Sequence, residues 1–285
     1  MKKKIFLAIT TILFLLSSNS AYSKEGQSFL PKNPDASENF NYAETNLEQR
    51  LLRLAEKGDS KAQFRLGFMY EQGLGVSKNP QEAIKWYHRA ADQGEKNAQF
   101  NLGLIFYKGE ITAQNYSEAA AWFAKAFENG DAKAQLCLGL MYCNGTGVTK
   151  NYCEAAASFR KAAAKGNSDA QLCLGIMNYK GCGMQKNLTK AAEWYRKAAE
   201  QGNGKAQFCL GMMYNNGDGV TKNIKTAYVW ISLSAVHSID SLQNEAISVR
   251  SRIAKKLSPS QLKKSQEITE KWTARQSPDK ETSQR

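Results

Sequence analysis

The chain has 285 residues, with 39 Lys and Arg against 26 Asp and Glu, and its formal net charge is +13 at pH 7. Its two histidines stand far apart and no two cysteines have the Cys-x-x-Cys spacing, so the common metal-site patterns are excluded. The positive charge favours acidic partners or anionic surfaces, although the basic residues are spread along the whole chain.

The first 23 residues predict a secretory signal peptide. Three lysines follow the initial methionine, Ile5 to Leu16 form an apolar stretch of twelve residues, and Ala21-Tyr22-Ser23 resembles a cleavage site. The apolar stretch is shorter than the roughly 18 residues of a membrane span, and no later stretch reaches that length. We therefore expect cleavage near Ser23, no membrane span, and a periplasmic or secreted protein.

Two segments precede the first regular pattern of the chain. Residues 24–43 are polar and contain two prolines, which predicts a flexible leader. Residues 44–57 predict an N-terminal capping helix, because Ala55 falls 36 residues before Ala91 and so aligns with a helix of the repeat described next.

A period of 36 residues runs without a gap through residues 58–237. The pair Ala62-Gln63 recurs at each step as far as Ala206-Gln207, and the pair Leu66-Gly67 recurs in the same way. A fixed period of this length is the signature of a stacked repeat array, so we expect five repeats and an extended binding surface rather than a single catalytic pocket.

Each repeat predicts two helices joined by a turn, and no segment has the alternation of a strand. In the first repeat Ala62, Leu66 and Met69 have the spacing of an amphipathic helix. Gly67 has no side chain, so the paired helix can approach closely at this position. Asn79 is a good N-cap for the second helix. The chain is therefore predicted to be all-α.

The repeated pattern A-Q-x-x-L-G-x-M-Y-x-x-G-x-G-V-x-K-N-x-x-E-A-x-x-W-Y resembles the Sel-one-like repeat family, a relative of the tetratricopeptide repeats. The second repeat departs from it, because Gly109-Glu110-Ile111-Thr112-Ala113 lacks the second glycine and the valine, and we expect its turn to differ while its helices survive. The resemblance implies a right-handed α-solenoid of five 36-residue helix-turn-helix repeats with flanking capping helices.

The resemblance also implies a function and a site. The chain would be an exported scaffold that binds proteins or peptides through its concave surface, as an envelope adaptor or as a host-interaction factor in virulence. Its partners would be envelope or peptidoglycan-processing proteins or a host receptor. In the related arrays the first helix of each repeat lines the groove, and the corresponding partner-binding positions here are Lys61, Glu71, Gln72, Asn97, Tyr107, Lys108, Asn144, Tyr179, Lys180, Asn215 and Asn216.

These positions differ from repeat to repeat, which fits either a surface adapted to a ligand or an unconstrained one. An apolar floor at Phe64, Phe68 and their equivalents, with polar and aromatic edges, would suit an extended or helical peptide. A role in the core explains that apolar floor equally well.

Residues 238–275 predict two C-terminal capping helices. One helix is predicted from Ile239 to Lys256, and Ser258-Pro259-Ser260-Gln261 reads as a capping box that opens another, ending near Arg275. The densest basic cluster of the chain lies here and is interpreted as a solvated helix face. Residues 276–285 predict a disordered tail.

Export makes the six cysteines candidates for disulfides. Cys137, Cys173 and Cys209 share one repeat position, so they should stack roughly 8–10 Å apart, beyond the roughly 4.4–6.8 Å between Cα atoms that a disulfide requires. We interpret them as small buried or half-buried apolar residues. Cys143 and Cys153 face each other across one hairpin and are the predicted disulfide, with Cys182 as a competitor for Cys143.

The rival hypothesis is a secreted β-lactamase-like or peptidoglycan-related enzyme or enzyme regulator. Two Ser-x-x-Lys motifs occur, Ser158 to Lys161 and Ser260 to Lys263, a number expected by chance in this composition. The companion Ser-Asp-Asn and Lys-Thr-Gly motifs are missing. We therefore predict no enzyme activity, no catalytic residues, no metal and no cofactor. Export and the lack of a recognised motif argue against nucleic-acid binding.

Overall fold

The computed structural model describes residues 40–276, with side chains for residues 48–274. Within that range it contains thirteen helices and no strand. The predicted signal peptide, the leader up to residue 39 and the tail from residue 277 lie outside the described residues. The helices are α1 (Phe40–Glu56), α2 (Ser60–Gln72), α3 (Pro80–Asp92), α4 (Lys96–Lys108), α5 (Tyr116–Glu128), α6 (Ala132–Asn144), α7 (Tyr152–Ala164), α8 (Ser168–Lys180), α9 (Leu188–Glu200), α10 (Gly204–Asn216), α11 (Ile224–His237), α12 (Asp240–Ala254) and α13 (Pro259–Gln276).

Five consecutive helix pairs, from α2–α3 to α10–α11, follow the 36-residue period, and the predicted α-solenoid class is confirmed. We call the earlier member of each pair the first helix and the later member the second helix. The chain divides after Ser158 into two compact units, which are described separately below. Helix α1 begins at Phe40, four residues before the predicted start of the capping helix.

The repeated asparagine starts every second helix. Asn79 Oδ1 accepts a hydrogen bond from the backbone N–H of Glu82, and the asparagines at 115, 151, 187 and 223 do the same three residues on. This bond satisfies one of the backbone donors that a helix N-terminus leaves open. Local capping therefore explains why asparagine keeps the 36-residue period.

The repeated glycine of the first helix lies against an aromatic or branched side chain of the second helix. A Cβ on Gly67 would lie 2.8 Å from Tyr87 Cδ1, and one on Gly103 would lie 2.6 Å from Phe123 Cδ1. Both distances are shorter than a carbon–carbon contact allows. Close packing therefore needs glycine in these pairs, as the sequence predicted, and Gly175 and Gly211 make the same kind of contact.

The repeated glutamine joins successive helices. Gln63 Nε2 donates to the carbonyl oxygen of Ala55 at 2.9 Å, and Gln99 and Gln207 donate in the same way to the residue eight positions earlier. The side-chain oxygen of the same glutamine accepts a hydrogen bond from the residue 30 positions later, such as Asn129 on Gln99. These glutamines are almost fully buried. We call this arrangement the glutamine clamp.

The clamp continues beyond the repeats that the sequence reveals. Gln243 Nε2 on α12 donates to the carbonyl oxygen of Ala235 at 3.1 Å, again eight residues earlier. Helix α12 therefore packs on α11 in the register of a first helix. Gln243 falls 36 residues after Gln207, although the alanine and the Leu-Gly pair of the repeated pattern do not recur in α12.

The departures and ends of the array also have local explanations. The second repeat keeps helices of normal length, as predicted, and Ile111 occupies the place of the missing glycine and packs on the core of the first unit.

At the start of α13, Ser258 Oγ accepts from the N–H of Gln261, and Gln261 Oε1 accepts from the N–H of Ser258. This is the predicted capping box.

Candidate functional site

The candidate site consists of the eleven predicted partner-binding residues, all of which lie on first helices. Lys61 and Asn97 lie in the first turns of α2 and α4, and the other nine lie in the last turns of the first helices. None of the eleven is fully buried. Their role in binding remains a prediction, and the contacts of each group show what it can offer a partner.

In the first unit, two of the predicted residues hold the fold together. The hydroxyl of Tyr87 donates to Glu71 Oε2 at 2.6 Å, which ties α2 to α3. Asn97 Nδ2 donates to Glu95 Oε1 at 2.9 Å, and the same oxygen caps α4. These two side chains are therefore positioned by the scaffold.

The last turn of α4 presents an aromatic and a basic group. The rings of Tyr107 and Tyr116 meet edge to face with centroids 5.2 Å apart. Burial, followed by Tyr116 and Cys137, raises the pKa of Tyr107, so its hydroxyl stays protonated at neutral pH. Lys108 Nζ lies 3.8 Å from Glu110 Oε2, in an exposed pair that contributes little. This turn offers a rigid ring and a hydroxyl donor.

Asn144, at the end of α6, carries an unsatisfied polar atom. Its side-chain oxygen is buried and has no hydrogen-bond partner among the described residues. A buried acceptor of this kind needs an explanation. Of the seven predicted residues in the first unit, Asn144 is the one whose own environment points to a missing partner.

In the second unit, the structure brings three predicted residues into one polar network. Tyr179 is 36% exposed and hydrogen-bonds to Asp218. Asn216 Nδ2 donates to Asp218 Oδ2 at 3.2 Å, and Asn215 Nδ2 donates to Asn216 Oδ1 at 2.9 Å. Lys256 Nζ donates to Asn215 Oδ1 at 3.3 Å. We call these five residues the C-terminal polar network.

Two members of the C-terminal polar network were missed by the sequence reasoning. Asp218 occupies a turn position that is Leu74, Thr146 or Cys182 in other repeats. The predicted partner-binding positions also differ in residue type from repeat to repeat, so the same criterion would have found Asp218. Lys256 follows α12, outside the repeats, and no sequence pattern places it beside Asn215. Burial and then Asp218 raise the pKa of Tyr179, so the tyrosine remains the hydrogen-bond donor to the carboxylate.

The three cysteines at the shared repeat position are buried or half-buried, as predicted. Cys137 and Cys173 are buried and Cys209 is half-buried. Burial raises the pKa of Cys137 and raises that of Cys209 to about 11, although the hydrogen bond from Tyr195 opposes the shift at Cys209. Thiols with a raised pKa are poor nucleophiles and poor metal ligands at neutral pH.

The predicted disulfide remains a prediction. Cys143 is buried near the end of α6 and Cys153 is exposed in the first turn of α7. Cys182 is half-buried in the turn after α8. Over the residues that the structure describes, no three His, Cys, Asp or Glu side chains are grouped so that they could hold a metal ion.

Helix pairs of constant length, capped by asparagine and joined by buried glutamines, define a helical-repeat protein of the α-solenoid class. The Sel1 repeat model matches residues 60–95, 96–131, 132–167, 168–203 and 204–235. The chain therefore belongs to the Sel1 repeat family.

Two solved structures are similar over most of the chain. One is a protective antigen present in uropathogenic Escherichia coli strains, which is 37% identical with a TM-score of 0.72 over 80% of this chain. The chain spans 48% of that protein. The other is a Sel1 repeat protein from Oxalobacter formigenes, which is 33% identical with a TM-score of 0.69, and the match covers 81% of this chain and 96% of that one.

A curated relative is similar over a short segment. Chitin synthase regulatory factor 3 of Schizosaccharomyces pombe is 50% identical over 48 residues, which are 16% of this chain and 5% of the yeast protein. Sel1 repeat proteins are generally scaffolds for protein–protein interaction, and their fold is typically non-enzymatic. Among the described helices, none has the length and apolar character needed to cross a membrane.

Proposed function

We propose that this protein is an exported scaffold that binds a protein or peptide through the ends of its first helices. The observation that carries the proposal is that, within each repeat, the repeated residues make structural contacts whereas the varying residues are accessible to solvent. The repeated residues are used by caps, close helix contacts and the glutamine clamp. The residues that vary, such as Tyr107, Tyr179 and Lys180, lie where solvent reaches them.

The available groups favour a peptide ligand with its own polar groups. Tyr107 supplies a ring fixed against Tyr116. In the second unit, the C-terminal polar network supplies amide, carboxylate and ammonium groups within hydrogen-bond distance of one another. Aromatic edges with amide and charged groups suit main-chain and side-chain recognition of an extended or helical peptide.

The proposed setting is the bacterial envelope or its exterior. The predicted signal peptide, with cleavage near Ser23, supports a periplasmic or secreted location. Similarity to the protective antigen of uropathogenic Escherichia coli supports contact with a host, as a virulence factor. An envelope adaptor that assembles peptidoglycan-processing proteins is the other form of the same proposal.

The test is affinity capture from envelope and host-cell extracts, using the chain that begins at residue 24. Each captured protein is then purified and its Kd measured. The Tyr107→Ala/Tyr179→Ala variant should weaken binding at least tenfold, because it removes one aromatic contact from each unit. Tyr152→Ala is the matched control, since Tyr152 is half-buried on a second helix. Equal affinities of the double variant and the wild type would refute the placement of the site.

The enzyme alternative gains no support from the two Ser-x-x-Lys motifs. Ser158 is buried on α7, so its hydroxyl cannot meet a substrate unless the helix moves. Ser260 is exposed, and its Oγ lies 3.2 Å from Ser258 Oγ at the start of α13. A nitrocefin assay tests this alternative: turnover by the purified protein that Ser158→Ala or Ser260→Ala abolishes would replace the scaffold proposal.

A further inference from the structure

Helix α12 has the register of a first helix but lacks the second helix that follows each first helix in the repeats. Gln243 donates to the carbonyl oxygen of Ala235, as the clamp glutamines of the repeats donate to the residue eight positions earlier. Helix α13 does not serve as the second helix, because it packs mainly on α11, where the rings of Trp272 and Trp230 meet with centroids 5.4 Å apart. One side of α12 is therefore uncovered by the described helices.

The uncovered side of α12 is apolar. Gln243 and Ile247 are one helical turn apart, and the exposed Ile239 precedes the first turn. Ile247 is 40% exposed, whereas the residue at the same position of every repeat is a buried glycine, such as Gly211, which lies against Ile231 of the second helix. Ile247 is exposed because α12 has no second helix at this place. We call Ile239, Gln243 and Ile247 the α12 face.

The α12 face also carries half of a glutamine clamp. In the repeats the side-chain oxygen of the clamp glutamine accepts from a residue 30 positions later, as Gln63 Oε1 accepts from Gln93 Nε2 at 2.7 Å. Among the described residues, no donor bonds to Gln243 Oε1. The half-buried Gln243 therefore holds an acceptor in the place where the repeats have a donor from a second helix.

Helix α1 has the complementary features of a second helix without a first helix. Gln63 donates to the carbonyl oxygen of Ala55, as later clamp glutamines donate to second helices. Within the described residues, no first helix precedes α1. Leu54 is 39% exposed, whereas the equivalent residues of all five repeats, from Ala90 to Ser234, have no exposed surface. Leu54 thus marks an uncovered apolar side of α1.

Lys57 occupies the position of the donor that the α12 face lacks. The donors to the clamp glutamines, from Gln93 to His237, share one repeat position, and Lys57 stands 36 residues before Gln93. Its side chain is exposed, and an ammonium group can donate to an amide oxygen. The acceptor on α12 and the donor after α1 are therefore matched by the register of the repeat.

We propose that α12 of one copy of this chain pairs with α1 of a second copy, so that the two helices form a repeat across the interface. Lys57 of the second copy donates to Gln243 Oε1, and Leu54 of the second copy packs beside Ile247. The contact joins two different surfaces, so each copy keeps one of them free and the association is head to tail. None of the predicted partner-binding residues lies on α1 or α12, so this interface is separate from the proposed peptide site.

The side chains at the interface fit a wider helix pair than those inside the repeats. Ile247 stands where the repeats have glycine, and Leu51 of α1 stands where the first repeat has Tyr87. Two aliphatic side chains replace a glycine and a ring, so the helix axes must lie farther apart. Lys57 has a longer side chain than Gln93, so it can reach Gln243 across this distance.

Analytical ultracentrifugation of the chain that begins at residue 24 tests the association. One helix pair is a small interface, and such contacts are weak. The weight-average mass should rise with protein concentration between roughly 10 μM and 1 mM and should pass that of a dimer. Salt at about 0.15 M screens the repulsion between copies of like charge. A mass that stays at that of the monomer overturns the proposal, and so does a plateau at the dimer, which would indicate a closed interface.

Substitutions on each side of the interface test its location. Leu54→Lys and Ile247→Lys should each weaken association by at least roughly tenfold, because each places a charge against an apolar surface. The matched controls are Leu74→Lys and Ile268→Lys, since these residues are exposed to a similar extent and lie outside α1 and α12. Association of either interface variant at the wild-type level would overturn the pairing.

A mixture of the two interface variants tests the orientation. Leu54→Lys keeps an intact α12 face and Ile247→Lys keeps an intact α1, so an equimolar mixture should form a heterodimer and nothing larger. Failure of the mixture to associate more than the separate variants would contradict a head-to-tail contact.

The role of Lys57 is tested separately. Lys57→Met should weaken association about tenfold, because it removes the charged donor to Gln243 Oε1, whereas Lys57→Arg keeps a donor and should retain association. The Tm of dilute monomer should be the same in both variants, since Lys57 is exposed. Equal association of Lys57→Met and the wild type would overturn the role assigned to Lys57.

Discussion

His237 Nδ1 lies 3.0 Å from Gln207 Oε1, in the place where Gln93 and Asn129 donate to the clamp glutamines of earlier repeats. Because Gln207 Nε2 already donates to the carbonyl oxygen of Ala199, its oxygen is the acceptor and His237 is the donor. A titratable ring therefore replaces an amide at the last position of the clamp.

This substitution predicts a pH-dependent stability. Burial lowers the pKa of His237 in the folded protein, so the unfolded chain binds a proton more readily. The contribution of neutral His237 to the free energy of unfolding is complete above the pKa of about 6.5 that the histidine has in the unfolded chain. This contribution is lost as the pH falls from there through the pKa that His237 has in the folded protein. His237→Gln should keep the hydrogen bond and remove this loss. Urea unfolding of both proteins at about pH 5 to 8 measures the difference. A difference in stability that does not change with pH would contradict the prediction.

Replacement of a clamp glutamine should destabilise the first unit. Gln99→Leu removes the bond to the carbonyl oxygen of Ala91 and leaves Asn129 without its acceptor on Gln99. We expect a loss of about 1–3 kcal/mol in the free energy of unfolding, because two hydrogen bonds that contribute about 0.5–1.5 kcal/mol each are removed. Gln135→Leu is the matched control, because Gln135 Oε1 has no partner among the described residues and the loss should be smaller. Chemical denaturation compares the two; an equal loss would argue against the clamp.

A methyl group on the repeated glycine should also destabilise the fold. Gly103→Ala places Cβ about 2.6 Å from Phe123 Cδ1, which forces the ring or the helix to move. Overpacking of this kind costs about 1–3 kcal/mol. The double variant Gly103→Ala/Phe123→Leu should recover part of the loss, since leucine leaves room for the methyl group. Additive losses in thermal unfolding would show that the contact is not the cause.

Cysteine chemistry tests the predicted disulfide. In protein purified from an oxidising compartment, alkylation followed by peptide mapping should find Cys143 and Cys153 protected until reductant is added. Cys137 should resist alkylation in the folded state whether or not reductant is present, because burial raises the pKa of its thiol. Rapid labelling of Cys153 without reductant would rule out its pairing, and linkage of Cys143 to Cys182 would identify the competitor.

Much of the candidate site could be placed from the sequence, but its contacts could not. The positions of Tyr107, Tyr179 and Asn216 near the ends of first helices follow from the period, because helix bounds repeat with it. The contact between Asn215 and Lys256 does not follow, because the two residues are 41 positions apart and Lys256 belongs to no repeat.

The sequence by itself determined the repeat: its period, its helix pairs, its caps and its close glycine contacts. These features depend on interactions within or between neighbouring repeats, and the same residue types must return wherever the same local interaction returns, as Asn79 and Gly67 do. Only the tertiary structure decided the contact of the C-terminal polar network between Lys256 and Asn215. Lys256 lies outside the repeats, so its partner is determined by how the helices pack.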